Sequence, residues 1–186
     1  MLITDRLRLR PWTDDDIDQF AAHNADPRIM RYFPDVMNRA QTAASIKRWQ
    51  KDFERYGFTF FAAELRDTNE FIGVIGPAWH RFASPFAPAI EIGWRLHPDY
   101  WGHGYATEGG TASAGYVFSL GRSEVVSVTV PDNLPSRAVM ERIGMTRDPD
   151  DDFDHPFGDL RHVLYRMNRD TFRSRYPKSD TFTIEQ

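Results

Sequence analysis

Residues 91–108 contain the pattern that most constrains the fold of this chain. They begin in Ala89–His97, a segment with the composition of a strand. Gly102 and Gly104 then provide a tight turn, and apolar residues take helical spacing from there to about Leu120. A strand that passes through a glycine turn into a helix predicts a fold in which helices cover a sheet.

The remaining segments extend this unit into a mixed α/β fold around one sheet. Seven strands are predicted, at residues 2–12, 58–66, 70–80, 89–97, 124–130, 145–147 and 161–168, and Asp67-Thr68-Asn69 forms the turn of a β-hairpin. Four helices are predicted, at Thr13–Asp26, Asn38–Gly57, Gly104–Leu120 and, as the last, Asn133–Ile143. We therefore expect one domain over residues 1–169 and a polar, partly disordered tail over 170–186.

Composition excludes several classes of function. The net charge of −4 argues against a nucleic-acid partner, which would need a basic surface. No apolar run approaches the roughly 20 residues that cross a bilayer, and the first ten residues contain no apolar signal region, which predicts a cytoplasmic protein. The absence of cysteine excludes thiolate metal sites and a cysteinyl acyl-enzyme, and the six histidines lack metal-ligand spacing, so we expect no metal.

The glycine turn is a candidate anion site. Gly102, Gly104 and the small Ala106 let backbone N–H groups approach an anion, and the helix that follows presents its positive end. A pyrophosphate fits such a cradle, although a helix-start turn without a ligand has the same local pattern. The segment lacks the Walker ending and the dinucleotide fingerprint, which excludes those two phosphate-binding classes.

The residues around the turn resemble motif A of the GCN5-related N-acetyltransferase (GNAT) superfamily, Arg/Gln-x-x-Gly-x-Gly/Ala, here Trp101-x-x-Gly104-x-Ala106. Trp101 departs from that motif but is similar to the ribosomal-protein N-acetyltransferase-like (RimJ/RimL) branch. A second segment, Asn133-x-x-Ser136-x-x-Val139-x-Glu141, and the start Thr4-x-Arg6-Leu7-x-Leu9-Arg10 resemble the same branch, so the similarity spans residues 2–168. The resemblance implies a mostly antiparallel twisted sheet with helices on both faces, splayed between its fourth and fifth strands.

The same resemblance implies an acetyl-CoA-dependent N-acetyltransferase that acts on a primary amine by direct transfer. It assigns acetyl-CoA to the strand before the turn, the turn, and the start of the last helix: Trp94, Arg95, Leu96, Trp101, Gly102, His103, Gly104, Tyr105, Ala106, Thr107, Asn133 and Ser136. Glu91 is the expected general base, because an alkyl ammonium with a pKa of about 10.4 must lose a proton before it attacks. The N–H of Leu96 or a neighbour is the expected donor to the acetyl oxygen.

Ser136 is the expected partner of the departing thiolate, because Met140 stands where many members have a tyrosine acid. A serine that only begins a helix is the alternative, and Asn133 could cap that helix, bind the cofactor, or do both. Glu108 is expected to be structural, because its charge would repel a pyrophosphate. Gly109 and Gly110, unfavourable inside a helix, predict a mobile first turn or close helix–sheet packing.

The acceptor is the least constrained part of this prediction. A protein N-terminus, antibiotic, polyamine or metabolite all suit the pattern, and the aspartates between 148 and 154 form either a solvated loop or a mouth that attracts a cationic amine. His155 is an alternative base. The candidate pocket residues are Phe33, Trp79, Phe82, Phe153 and His155. Exposed aromatics in Pro85–Pro88 and the tail predict a homodimer, and an acyl-CoA-binding module without turnover is the alternative to an enzyme.

Overall fold

The sheet begins where the sequence alternates. Over Leu7–Arg10 the leucines are buried and the arginines are partly exposed, as expected for a strand with one face on a core. A computed structural model describes residues 1–156, 160–177 and 181–185. The described strands are β1 (Leu2–Ile3), β2 (Leu7–Arg10), β3 (Phe61–Leu65), β4 (Phe71–Trp79), β5 (Ile90–Leu96), β6 (Glu124–Thr129), β7 (Thr146–Arg147), β8 (Phe153–Asp154), β9 (Arg161–Asn168) and β10 (Thr183–Ile184).

Side-chain caps and glycines set the helix boundaries. Asn38 and Gln41 form the predicted capping box, and Gly57 ends the same helix in a left-handed conformation with φ 76°. The helices are α1 (Ile17–Ala25), α2 (Arg39–Tyr56), α3 (Tyr105–Ser119), α4 (Leu134–Ile143) and α5 (Arg169–Arg175). Short 3-10 turns precede α1 and the glycine turn, at Asp14–Asp16 and Pro98–Tyr100.

The strands pair in the order β10-β1-β2-β3-β4-β5-β6-β9-β7, and β8 pairs with β9. Neighbours are antiparallel except β5 and β6, which share a single parallel pair, Glu91 with Val126. β4 and β5, in contrast, pair over seven residues. The predicted fold class is confirmed, with the splay between residues 90–96 and 124–129.

Helices cover both faces of the sheet. Ala62 and Val74 pack with aromatic residues of α1 and α2, whereas α3 lies on the opposite face over Ile75. A Cβ built at Gly109 would lie 2.8 Å from Cδ1 of Ile75, and one at Gly110 would lie 2.7 Å from Cδ1 of Ile143. These two glycines therefore serve the close packing that was one of their predicted roles.

The segment that follows β9 corrects the expectation that α4 is the last helix. Asn168 caps α5 through the N–H of Thr171, and Phe172 is buried in the core formed by β5, β6 and β9. β10 then pairs with β1 at the edge of the sheet. Only one residue of this helix, Phe172, is buried, and the rest of the segment is polar. The sequence pattern therefore did not indicate a helix. Residues 178–180 and 186 of the tail lie outside the described residues, and the domain boundary at 169 stays a prediction.

Candidate active site

The glycine turn places unpaired backbone donors at the start of α3. Gly102 and Gly104 adopt φ 79° and 83°, the left-handed conformation that glycine takes without strain. The first hydrogen bond back into the turn comes from the N–H of Glu108 to the carbonyl of Gly104. The N–H groups of Tyr105, Ala106 and Thr107 therefore precede the helical ladder. A Cβ at Gly102 would have no atom within 4 Å, so the turn is open to a ligand.

The beginning of the chain holds this turn through Glu108. The Glu108 carboxylate accepts from the Thr4 hydroxyl at 2.6 Å, from the Arg6 backbone N–H at 2.8 Å and from Arg6 Nε at 2.7 Å. Arg6 Nη1 also donates to the carbonyl of His103 at 2.9 Å. Glu108 thus has the structural contacts expected of it. The sequence predicted no role for Arg6, because its partners lie about a hundred positions away.

Trp101 links the turn to β5. Its indole N–H donates to the carbonyl of Leu96 at 2.8 Å, while the residue as a whole is 52% exposed. The ring is therefore fixed in orientation and open to solvent on one side. Trp101 therefore connects the turn to the strand through a hydrogen bond from a rigid ring. Arg or Gln at this motif position would offer a flexible donor instead.

The edge of β5 next to β6 exposes main-chain groups. The N–H of His97 donates to the carbonyl of Ile72 on the β4 side at 2.9 Å. Because bonded residues alternate along an antiparallel ladder, the main chain of Arg95 also faces β4, and those of Trp94 and Leu96 face away from it. Pairing with β6 is limited to Glu91, so these groups border the gap between the strands.

A cavity of about 440 Å³ extends from this gap to the α1–α2 face of the sheet. It brings together predicted residues from five parts of the chain: Phe33, Phe82, Glu91, Trp94, Arg95, Asn133, Ser136 and His155. Met140, the residue at the tyrosine position, also lines it. The other predicted cofactor-binding residues do not line this cavity and lie along the chain between β5 and the start of α3: Leu96, Trp101, Gly102, His103, Gly104, Tyr105, Ala106 and Thr107.

Two predicted pocket residues lie behind the cavity. Trp79 packs against Tyr56 and Phe58 with ring centroids 5.9 and 6.0 Å apart. Phe153 is buried and contacts Phe82 from behind, with ring centroids 6.1 Å apart. Neither lines the cavity. Their aromatic character indicated a pocket, but their position in the pleat directs them into the core.

His80 holds the carboxylate of Glu91, a role that no local sequence pattern indicates. Nδ1 of His80 lies 3.1 Å from Oε2 of Glu91, and the His80 side chain is fully buried beneath Phe82 and Phe86. His80 Nε2 is buried and lacks a partner in the described part of the chain. A hydrogen bond donated by Nδ1 would orient the carboxylate. Residues 80 and 91 meet because β4 and β5 pair in an antiparallel register, which the spacing of a sequence motif does not show.

His155 lines the same cavity from the loop that precedes β9. Its ring lies 4.1 Å from that of Phe82 and 4.9 Å from that of His162, centroid to centroid. Burial lowers the pKa of His155 below its usual value, and the nearby imidazoles of His162 and His80 lower it further. A neutral imidazole is therefore favoured at this wall of the cavity.

Asn133 and Ser136 occupy the start of α4 at the other wall. Oδ1 of Asn133 accepts from the Ser136 N–H at 3.4 Å, and Nδ2 donates to the Thr129 hydroxyl at 2.9 Å. The capping role of Asn133 is confirmed. The Asn133 amide carries a second N–H beyond the one bonded to Thr129, so capping and cofactor binding are chemically compatible.

The acidic loop does not form the mouth of the cavity. Asp151 pairs with Arg166, Asp152 with Arg147, and Asp154 with Arg161. None of these aspartates lines the cavity. Among the described lining residues, Glu91 is the only carboxylate, and Arg48 and Arg95 are the arginines. Phe86, expected to be exposed, is partly buried against His80.

The described residues contain no group of three histidine or carboxylate side chains arranged for a metal ion. Within the same residues, no helix has the length and apolar character needed to cross a membrane.

Comparison with known proteins identifies a family. A family model described as an acetyltransferase (GNAT) domain matches residues 6–146. The protein YkkB of Bacillus subtilis (strain 168) is 32% identical over 146 residues, which cover 77% of this chain and 84% of YkkB. The N-acetyltransferase YoaA of the same organism is 30% identical over 169 residues, which cover 89% of each chain.

Solved structures share the same architecture. An acetyltransferase from Agrobacterium tumefaciens str. C58 has a TM-score of 0.73 and 31% identity, with 89% of this chain and 92% of that chain covered. A spermidine N-acetyltransferase from Vibrio cholerae, in complex with CoA and spermine, has a TM-score of 0.71 and 14% identity, with 89% and 97% covered. The latter likeness concerns the fold alone.

Proposed function

Because this chain belongs to the acetyltransferase (GNAT) family, we propose that it moves the acetyl group of acetyl-CoA to a primary amine by direct transfer in a ternary complex. Membership of the family makes it an acetyl-CoA-dependent acetyltransferase. The direct route and the roles of individual residues are our proposal. One observation carries it: Glu91 and Ser136 line one cavity at the point where β5 and β6 separate.

The chemistry of the residues along β5 and at the start of α3 suits acetyl-CoA. The N–H groups at the start of α3, opened by Gly102 and Gly104, suit a pyrophosphate. The main-chain groups of Trp94 border the gap and suit an extended pantetheine, which would pair like an added strand, while the carbonyl of Leu96 is already bonded to the Trp101 indole. When bound, acetyl-CoA supplies the thioester whose acetyl group is transferred.

Glu91 takes the proton that the amine must lose. An amine attacks only when neutral, and its ordinary pKa of about 10.4 keeps it charged near neutral pH. The carboxylate of Glu91 faces the cavity while His80 holds one of its oxygens. That contact orients the base toward the acceptor side. His155, on the same wall, is the alternative base.

Leu96 and Ser136 stabilise the two charges that develop during transfer. The N–H of Leu96, or that of Trp94, which also faces the gap and lies nearer to Glu91, donates to the acetyl oxygen as that oxygen gains negative charge. The Ser136 hydroxyl donates to the sulfur as it departs, and the positive end of α4 adds to this effect. Met140 provides an apolar wall where many relatives of this fold would have a tyrosine acid.

A thiol-release assay tests the proposal. The chain contains no cysteine, so a thiol reagent reports only the CoA that is formed. Direct transfer predicts amine-dependent release and initial-rate lines that intersect when both substrates are varied. Parallel lines would indicate a covalent acetyl-enzyme and contradict the ternary complex. Tight acetyl-CoA binding without amine-dependent release would indicate the binding-module alternative.

The acceptor amine belongs to a small molecule or a protein N-terminus. We further propose a cytoplasmic enzyme of the RimJ/RimL-like branch, based on the three segments that resemble that branch. A homodimer remains a proposal, and sedimentation at several concentrations would test it.

A further inference from the structure

The acceptor side of the cavity contains a buried cation that has no counter-ion among the described residues. Arg95 projects from the α1–α2 face of β5 and lines the cavity. Its Nη2 donates to Oδ1 of Asn24 at 2.8 Å and its Nη1 contacts the sulfur of Met30 at 3.3 Å. The rings of Phe20 and Phe33 lie 5.5 and 4.9 Å from its central carbon. All four neighbours are uncharged.

No carboxylate contacts Arg95 among the described residues, although the neighbouring arginines along the sheet are paired. Arg10, for comparison, bonds to both Asp16 and Glu64. Nε of Arg95 is buried and has no partner in the same part of the chain. Most of the guanidinium N–H groups thus lack a hydrogen-bond acceptor. Burying a charged group in this way costs free energy unless an anion accepts those hydrogen bonds.

The imidazole next to Arg95 is neutral, so it adds no further charge to the guanidinium. Burial, followed by the charges of Arg95 and His97, lowers the pKa of the adjacent His23 to about 3, so that imidazole is neutral. Burial also lowers the pKa of Arg95 to about 10, which leaves it charged near neutral pH. The second arginine of the cavity, Arg48, bonds to the Ser45 hydroxyl at 3.2 Å. The uncompensated positive charge of Arg95 therefore favours an anion at its end of the cavity.

Glu91 and Arg95 lie on one face of β5, four positions apart, which corresponds to about 13 Å along the strand. Between them is Gly93, where a Cβ would lie 2.9 Å from the ring of Phe60. The floor between the base and the cation is therefore the edge of an aromatic ring, and Phe33 forms a wall. Such a surface accommodates an apolar spacer.

We propose that Arg95 binds a carboxylate of the acceptor, so that the acceptor is an amine joined to a carboxylate by an apolar spacer. This inference rests on the proposed function, because Glu91 must face the amine. A guanidinium fork matches a carboxylate in geometry as well as charge. A polyamine, in contrast, would bring a second positive charge toward Arg95 and Arg48.

The test uses a series of acceptors that differ only at the far end. 4-Aminobutanoate, 6-aminohexanoate and 8-aminooctanoate are compared with their primary amides and with spermidine in the thiol-release assay. We expect kcat/KM for the best acid to exceed that of its amide by on the order of tenfold or more, because a charge-assisted hydrogen bond is lost in the amide. Chain length should matter, since the two ends of the site are fixed.

Two variants assign the effect to a residue. In Arg95→Gln the ratio of kcat/KM for the acid to kcat/KM for its amide should fall toward one. In Arg48→Gln that ratio should stay at the wild-type value. Loss of the ratio in Arg48→Gln alone would overturn the assignment to Arg95. If Arg95→Gln does not fold, the wild-type comparison of acid and amide decides, because it needs no variant.

Calorimetry of the same acids and amides in the presence of CoA separates this inference from the proposed function. Preferred binding of an acid, without thiol release from any amine, would support the carboxylate site and refute the transferase. Thiol release with equal use of acids and amides, or with spermidine preferred, would refute the carboxylate site and leave the transferase. No preference for acids in either measurement also refutes the site.

Discussion

Gly102 offers a test of the anion cradle that has an internal control in the same chain. Gly102 has φ 79° and Gly121, just after α3, has φ 83°. A Cβ built at either position would have no atom within 4 Å. Gly102→Ala and Gly121→Ala therefore impose the same backbone strain in equally open surroundings. They differ in that Gly102 borders the unpaired N–H groups at the start of α3.

The expected stability loss is the same for both variants. A left-handed conformation costs a non-glycine residue about 1–2 kcal/mol, and alanine recovers about 0.4–1 kcal/mol by restricting the unfolded chain. A net loss of about 1 kcal/mol should lower Tm by about 2–4 °C in a chain of this size. Gly102→Ala should additionally disturb a charge-assisted hydrogen bond to the pyrophosphate worth about 1.5–3 kcal/mol. That corresponds to a rise in KM for acetyl-CoA of roughly tenfold to a hundredfold.

Thermal unfolding and the thiol-release assay measure the two effects on the same preparations. We expect matched Tm values and a raised KM for acetyl-CoA in Gly102→Ala alone. Equal KM values in the two variants, with matched Tm, would refute the cradle and reduce Gly102 to a turn residue. A much lower Tm in Gly102→Ala would instead show that its surroundings are not open.

Four further substitutions test the site and the fold. Glu91→Gln should lower kcat by about 10²–10⁴ with KM for acetyl-CoA unchanged, and a pH–rate profile that keeps its acidic limb would assign the base elsewhere. Ser136→Ala should lower kcat and leave Tm unchanged, whereas the reverse result would make Ser136 purely structural. Glu108→Gln should weaken the contact of Arg6 with the turn, lowering Tm and raising KM for acetyl-CoA together; an unchanged Tm with an unchanged KM would contradict that contact. Burial of Asp16 raises the pKa of its carboxyl, but hydrogen bonds from Arg10 and Thr13 outweigh burial and leave that pKa below its ordinary value. The ionised Asp16 carboxylate therefore stabilises the fold above its ordinary pKa, and this stabilisation is lost as pH falls through the folded-state pKa. In Asp16→Asn the free energy of unfolding should accordingly fall less steeply as the solution is acidified.

Local patterns were sufficient for most helices and strands. The capping box at Asn38 and the glycine after Tyr56 depend on contacts within a few positions, so the sequence predicts α2 closely. The hairpin turn at residues 67–69 is local as well. α5 was missed because its stability comes from burying Phe172 against distant residues, while its own composition is polar.

The candidate site divides in the same way. The sequence by itself determined the glycine turn, the helix that follows it, and the cap of α4, because each needs only neighbouring residues. Only the tertiary structure decided the contact of His80 with Glu91 and the lack, among the described residues, of a charged partner at Arg95. The first depends on the register of two antiparallel strands and the second on residues of α1 that pack against Arg95, and neither is encoded in the spacing of a motif.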